Sequence, residues 1–158
     1  MKLTRVVAVL AHPITIATAS LGSLALQRRA AIAPRLFVAL PVSVLGSKLL
    51  KRLFPRHKPR LLTLTPRESF PSGHTAAVTA AAAALVEGYG SWRALPLAIG
   101  AVVGIGAARI HDDEHRLDEV LVGAALGVVG AAAGSLVARA IAHRRRATAA
   151  RAAHPPRL

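Results

Sequence analysis

The chain contains no cysteine and very few aromatic residues. The absence of Cys from its 158 residues excludes a disulfide framework and a thiolate metal site. Only 3% of the residues are aromatic although 53% are hydrophobic, so Ala, Leu, Val and Gly supply most of the apolar surface. Helices that pack closely in lipid favour small residues, whereas a soluble core normally contains more Phe, Tyr and Ile. The composition therefore indicates a membrane protein with one domain.

Acidic residues are also scarce, because 21 Lys and Arg stand against seven Asp and Glu, for a formal net charge of +14. A basic balance can indicate nucleic-acid binding. Here the cations mostly lie between apolar runs rather than along one soluble face, so anionic lipid headgroups are the simpler partner. We expect membrane lipids, and no nucleic acid, as partners.

The apolar runs predict an all-α fold, an integral membrane bundle of about five transmembrane helices. The predicted spans are residues 6–26, 30–50, 72–86, 93–109 and 118–142. Residues 51–70 form a basic connector, and residues 143–158 predict a basic, disordered tail after a single domain over residues 1–142. The first run lacks a convincing cleavage site, so no cleavable signal peptide is expected. Tyr89 and Trp92 fall in a turn, where amphipathic rings suit the headgroup layer.

Three short polar blocks lie at the ends of these apolar runs. They combine cations, two histidines and one carboxylate, and their members are Lys51 and Lys58-Pro59, then Pro71-Ser72-Gly73-His74, then Arg109, His115 and Glu119. Two crossings separate the basic connector from the loop before the last helix, so all three blocks are expected on one membrane face. Such a set of residues is what a site needs to hold a phosphate and cleave it by histidine chemistry.

The second block lies at a predicted helix start, where free N–H groups and the helix dipole favour an anion. The Ser72 hydroxyl and the close backbone approach permitted by Gly73 would add to this anion site. The alternative is an ordinary helix cap, because Ser72 is a good cap residue and Thr75 follows three positions later. Both interpretations stay open on these residues alone.

The other two blocks also allow plainer interpretations. Lys51 and Lys58 can be a positive loop pair, and the nearby Arg56 or Arg60 could supply a guanidinium instead. In the third block, His115 and Glu119 are four residues apart, so a helical turn would bring them together. Asp118 is the neighbouring carboxylate and could compete for that partnership.

Taken together, the three blocks resemble the signature of the type 2 phosphatidic acid phosphatase family. That signature reads Lys-x6-Arg-Pro, then Pro-Ser-Gly-His, then Ser-Arg-x5-His-x3-Asp, and the resemblance covers roughly residues 48–126. Three positions depart from it: Lys58 replaces Arg, Glu119 replaces Asp, and Ala108 replaces Ser. Glu is one methylene longer than Asp, and Lys lacks the planar fork of Arg.

The resemblance implies a role for each matched residue. His115 would be the nucleophile that forms a phosphohistidine, Glu119 would hold its imidazole, and His74 would protonate the leaving alkoxide. The residues expected to bind the substrate phosphate are Lys51, Lys58, Ser72, Gly73 and Arg109. No metal and no other cofactor are expected, because clustered cations and amides can stabilise the transferring phosphoryl group.

The implied function is a membrane phosphatase acting on a lipid phosphate monoester or diphosphate. Polyprenyl phosphates or diphosphates, phosphatidylglycerol phosphate and phosphatidic acid are the substrates that the resemblance suggests. A lipid phosphotransferase and a non-catalytic lipid-phosphate binder are the alternatives. The Ala- and Arg-rich composition suggests a prokaryotic cell membrane, and Lys and Arg divide almost evenly between the two faces, with a slight preference for an external site.

Two further patterns carry predictions. Residues 112–114 are three acids beside His115, where the family commonly has an aromatic residue and Gly. They can form a solvated loop, recognise a polar or cationic headgroup, pair with arginines, or bind a divalent metal. Residues 123, 127, 130 and 134 are glycines on one face of the last helix, which favours close helix packing over a chance repeat.

Overall fold

The computed structural model of the protein describes residues 32–56, 70–90 and 92–153, and the regular structure in these residues is helical without any strand. The elements are α1 (Ile32–Leu53), α2 (Gly73–Tyr89), a 3₁₀ turn (Trp92–Ala94), α3 (Leu95–His111) and α4 (Leu117–Ala153). The predicted all-α membrane fold is confirmed. The predicted span at 6–26 and most of the basic connector lie outside the described residues.

Within the described part of the chain, three helical segments are long and apolar enough to cross a membrane: Ile32–Leu53, Trp92–His111 and Leu117–Ala153. The remaining helix, α2, has 17 residues and is lined by Ala and Thr, seven of its residues being buried. At 1.5 Å per residue it is about 25 Å long, slightly less than the hydrocarbon thickness of a bilayer. The count of five spans stays a prediction.

The last helix runs farther than the sequence pattern indicates. α4 continues to Ala153, so the prediction of a disordered tail is wrong for residues 143–153, while residues 154–158 lie outside the described part. Apolarity ends near Ala142, but Ala and Arg, which fill the extension, are among the strongest helix formers. The change from apolar to basic composition therefore marks the end of the hydrophobic run and not the end of the helix.

Small side chains hold the bundle together, because they let the helix backbones come close to one another. A buried apolar cluster joins Ile32, Leu36 and Ala39 of α1 to Ala80 and Ala84 of α2. α4 packs along both of these helices, whereas α3 packs mainly on α2 and touches α4 little. Close packing of this kind needs side chains that let backbones meet.

The glycine face of α4 provides that closeness. Gly123, Gly127, Gly130 and Gly134 are all buried, and a Cβ built on any of them would come within 3.0 Å of neighbouring atoms. The nearest obstacles include carbonyl oxygens of Ser72, Ala76, Ala39 and Arg35, which belong to the backbones beside α4. The prediction that this face serves helix packing is confirmed.

One end of the bundle gathers the polar blocks. A Cβ at Gly73 would lie 3.3 Å from Ser47 Oγ, so the last turns of α1 meet the start of α2. The Ser72 amide donates to the Glu119 carbonyl at 3.0 Å, which ties α2 to the first turn of α4. A Cβ at Gly106 would lie 2.8 Å from Val120, so α3 ends beside the same turn. The described residues of the blocks therefore gather at one end of the bundle, and their place on one membrane face stays a prediction.

Candidate active site

The corner at Pro71-Ser72-Gly73-His74 is the start of α2. Ser72 is fully buried and takes the N-cap position in an extended conformation, yet its side chain makes no cap hydrogen bond. Its hydroxyl instead lies 3.0 Å from the Thr75 hydroxyl. His74 is the second residue of α2 and is half-buried. The corner thus lacks the hydrogen bond that defines an ordinary cap, and the N-terminal amides and dipole of α2 point toward the gathered blocks.

His115 is held by a buried carboxylate. His115 Nδ1 lies 3.0 Å from Glu119 Oε2, and the Glu119 side chain is only 1% exposed. The same oxygen accepts a hydrogen bond from the Arg116 amide at 3.1 Å, which fixes the carboxylate in the first turn of α4. An ionised carboxylate only accepts hydrogen bonds, so the proton of a neutral imidazole belongs on Nδ1 and its lone pair on Nε2. The predicted contact between His115 and Glu119 is confirmed.

Asp118, the alternative carboxylate, is engaged by cations. Its Oδ2 accepts from Arg56 Nη1 at 2.5 Å, and Oδ1 lies 3.6 Å from Arg116 Nε. The Asp118 side chain is 49% exposed, in contrast to the enclosed Glu119. Of the two neighbouring carboxylates, Glu119 is therefore the one that makes a buried contact with His115.

Arg109 lies in the last turn of α3 and is 7% exposed. Its terminal nitrogen Nη2 pairs with Glu114 Oε2, while its Nε is buried without a hydrogen-bond partner among the described residues. The carbonyl of Arg109 accepts from the amides of both Glu114 and His115, at 3.1 and 3.0 Å. The chain thus folds back on the end of α3, and the guanidinium and the imidazole start from adjacent backbone.

The acidic stretch makes this reversal. Asp113 has a φ of 53°, a left-handed conformation that Asp tolerates better than most residues. The turn brings Glu114 back onto Arg109, so pairing with an arginine is the interpretation that the geometry supports for this residue. In residues 32–56, 70–90 and 92–153, no three His, Cys, Asp or Glu side chains lie together in an arrangement that could hold a metal ion.

The first block is described only in part. Lys51 lies in the last turn of α1, one turn beyond Ser47 and therefore on the helix face that meets Gly73. Lys58 lies outside the described residues, so its predicted place stays a prediction. Arg56, which the sequence offered as a replacement guanidinium, pairs with Asp118 and lies 4.6 Å from the centre of the Phe70 ring. Arg56 therefore bridges the other two blocks.

Two residues at this end had no place in the sequence prediction of the site. Ser47 is buried against Gly73, and Thr75 is buried with its hydroxyl on Ser72. Buried hydroxyls in apolar membrane helices need partners, so a serine one turn before Lys51 was a usable signal. The contact of Thr75 depends on the orientation of the Ser72 side chain, and the spacing of residues in the sequence does not indicate that orientation.

The fold and this site are those of a helical membrane protein that gathers basic, histidine and carboxylate groups at one end of its bundle. Residues 32–143 match the family described as the PAP2 superfamily, and the chain belongs to that superfamily. The resemblance in the sequence is thereby confirmed.

Among solved structures, the crystal structure of Aquifex aeolicus LpxE has a similar fold. The TM-score is 0.59 at 21% sequence identity, and the match covers 84% of this chain and 92% of that chain. At this identity the likeness concerns the fold alone. No curated protein matches the chain.

Proposed function

We propose that this protein is an integral membrane phosphatase that hydrolyses a phosphate monoester or diphosphate on a lipid through a phosphohistidine. The observation that carries the proposal is the buried Glu119 carboxylate 3.0 Å from His115 Nδ1. A carboxylate in this position holds the imidazole in one tautomer and orientation and stabilises positive charge on the ring, as the acid of a catalytic triad does. Glu119 fills this role in place of the Asp usual in the family.

The first chemical step is an in-line attack on phosphorus. Nε2 of His115 donates its lone pair to phosphorus while the bond between phosphorus and the lipid oxygen breaks. The departing oxygen takes a proton from His74, because imidazole is suited to general acid catalysis near neutral pH. The leaving group is the lipid alcohol for a monoester and the lipid monophosphate for a diphosphate, and its departure leaves a phosphoryl group on His115.

The second step returns the enzyme to its starting state. Water attacks the phosphorus of the phosphohistidine, the bond to Nε2 breaks, and His74, now neutral, accepts the proton that water releases. Through both steps the charge on the phosphoryl oxygens is stabilised by the Arg109 guanidinium, the Ser72 hydroxyl and the Gly73 amide. Lys51 and Lys58 are proposed to contribute charge from the first block, and no metal is required.

A lipid is the proposed substrate because the site lies at the end of apolar helices rather than on a soluble surface. Polyprenyl phosphates or diphosphates, phosphatidylglycerol phosphate and phosphatidic acid are the classes to compare. A cell membrane is the proposed location, because three segments of the described residues are long and apolar enough to span a bilayer. The Ala- and Arg-rich composition favours a prokaryotic one.

The ion pair between Arg109 and Glu114 leads to a prediction about phosphate affinity. Glu114 places a carboxylate on the guanidinium proposed to clamp the phosphate. Replacing it by Gln removes that competing anion, so inorganic phosphate should inhibit lipid phosphate hydrolysis about three- to tenfold more strongly. The measurement is the inhibition constant of phosphate for the wild type and for Glu114→Gln.

Asp112→Asn is the matched control, because it removes the same charge two residues away. We expect it to change the inhibition constant by less than Glu114→Gln does. Weaker inhibition in Glu114→Gln would instead mean that Glu114 positions Arg109 and does not compete with the substrate.

The proposed function is tested by phosphate release from purified protein in detergent. A panel of lipid phosphates is offered in EDTA and in Mg²⁺, and both phosphate and the lipid alcohol are quantified. We expect equal release in EDTA and in Mg²⁺, one phosphate for each dephosphorylated lipid, and no release by His115→Ala. Activity that stops in EDTA and returns with Mg²⁺ would refute metal independence. Phosphate that appears on another acceptor would identify a phosphotransferase, and no release from any lipid by folded protein would favour a binding protein.

A further inference from the structure

A cavity opens between α2, α3 and α4 and extends from Ala124, near the start of α4, to Glu87 and Arg139 at the opposite end of the bundle. Its volume is about 780 Å³, and most of its wall is apolar, with Val86, Ile99 and Val128 among the lining side chains. It exists because α3 packs on α2 and touches α4 little, which leaves a gap between α3 and α4. A cavity of this size and character suits a hydrocarbon chain.

The far end of this cavity is charged. Arg35, Glu87 and Arg139 all line it, so two cations stand there against one anion. Glu87 already has partners, because its Oε2 accepts from Ser135 Oγ and lies 3.8 Å from Arg35 Nε. Arg139 lies one turn beyond Ser135 on α4 and brings a second positive charge to the same end.

The surroundings of this end are basic as well. Beyond the cavity, α4 carries four more arginines up to residue 151, and residues 120–153 contain no acid. Trp92 also lines the cavity and is 80% exposed, as expected for a ring at the headgroup layer. The cavity therefore has apolar walls within the bundle and a positive rim at the level of the headgroups.

We propose that this cavity binds an anionic phospholipid from the leaflet opposite the active site. An acyl chain lies along the apolar walls, and the headgroup phosphate is bound by Arg139 together with Arg35. The site is separate from the catalytic end, because the rim lies at the end of α2 near Glu87 and the catalytic corner lies at its start, about 20 Å away at 1.5 Å per residue. The proposal does not depend on the reaction that the protein catalyses.

Trp92 makes the proposal directly measurable, because it is the one Trp in the chain. The protein is placed in phosphatidylcholine vesicles that contain increasing fractions of phosphatidylglycerol brominated in the acyl chains or, in a parallel series, of phosphatidylcholine brominated in the same way. Bromine quenches Trp fluorescence at short range, so quenching reports which lipid occupies the cavity. We expect brominated phosphatidylglycerol to reach half-maximal quenching at a roughly fivefold lower fraction than brominated phosphatidylcholine.

Matched variants separate the cavity from general surface charge. Arg139→Gln should remove most of the preference for phosphatidylglycerol, whereas Arg93→Gln should keep it, because Arg93 is next to Trp92 but does not line the cavity. Ala98→Phe, which fills the cavity, should reduce quenching by both lipids. Circular dichroism and gel filtration confirm that each variant is folded.

Three outcomes would overturn the proposal. Equal quenching by the two lipids would mean that the rim does not select an anionic headgroup. A preference that survives both Arg139→Gln and Arg35→Gln would assign it to the basic surface at large. Displacement of brominated phosphatidylglycerol by a non-hydrolysable lipid phosphonate bound at the active site would mean that the cavity holds the chain of the substrate.

Discussion

Replacing His115 by Ala is expected to lower the rate of phosphate release by at least about 10³-fold, whichever lipid phosphate is used. Alanine has no nitrogen to form the phosphoryl intermediate, and water would have to attack the substrate directly in a site arranged for imidazole. The buried Glu119 carboxylate, at 1% exposure, would also lose its hydrogen bond to the imidazole. Stability must therefore be measured beside activity.

His74 provides the comparison that separates the two proposed roles. A general acid matters most when the leaving group is a poor one, and its removal typically costs about 10²–10⁴-fold. His74→Ala should therefore lose most activity on a lipid phosphate but keep much of it on an aryl phosphate, whose leaving group needs no proton. His115→Ala should lose activity on both substrates.

His143→Ala is the matched control, because His143 is exposed on α4 far from the catalytic end. The assignment fails if His115→Ala and His74→Ala lose the same factor on both substrates, or if a folded His115→Ala protein still accumulates a phosphorylated chain. Acid-labile, base-stable phosphate on the wild-type protein during turnover would support the phosphohistidine directly.

Replacing Gly127 by Ala is expected to destabilise the bundle by about 1–3 kcal/mol, through overpacking. The added Cβ would lie 2.5 Å from Thr79 Cβ, 2.6 Å from the Ala76 carbonyl oxygen and 2.9 Å from the Ala80 amide nitrogen. Two of these obstacles are backbone atoms of α2, so the clash is relieved only by moving α2 away from α4. The thermal unfolding midpoint in detergent should fall by several degrees.

Gly104→Ala is the matched control on α3. A Cβ at Gly104 would meet nothing within 4 Å, so this substitution causes no clash. It gains the higher helix propensity of Ala, which stabilises a helix interior by up to about 1 kcal/mol. The two substitutions are chemically identical and should shift the midpoint in opposite directions. A Gly127→Ala protein as stable as the wild type would show that α2 and α4 do not depend on this close approach.

The sequence predicted much of the fold because the relevant forces are local. Apolar length indicates α1 and α3, and the glycine spacing on α4 indicates the packing face, since both follow from helix periodicity. It failed at the end of α4, where hydrophobicity stops but the helical preference of Ala and Arg continues to Ala153. Hydropathy indicates which part of a helix is apolar enough to lie in the membrane, whereas backbone preference determines where the helix ends.

The sequence by itself determined which residues are candidates for the chemistry, because motif spacing is a property of the chain. Only the tertiary structure decided between Glu119 and Asp118 as the partner of His115, and it paired Glu114 with Arg109. Adjacent carboxylates differ in burial and partners, and these depend on how the first turn of α4 meets α2 and α3. A hydrogen bond of 3.0 Å requires positions that spacing along the chain does not supply.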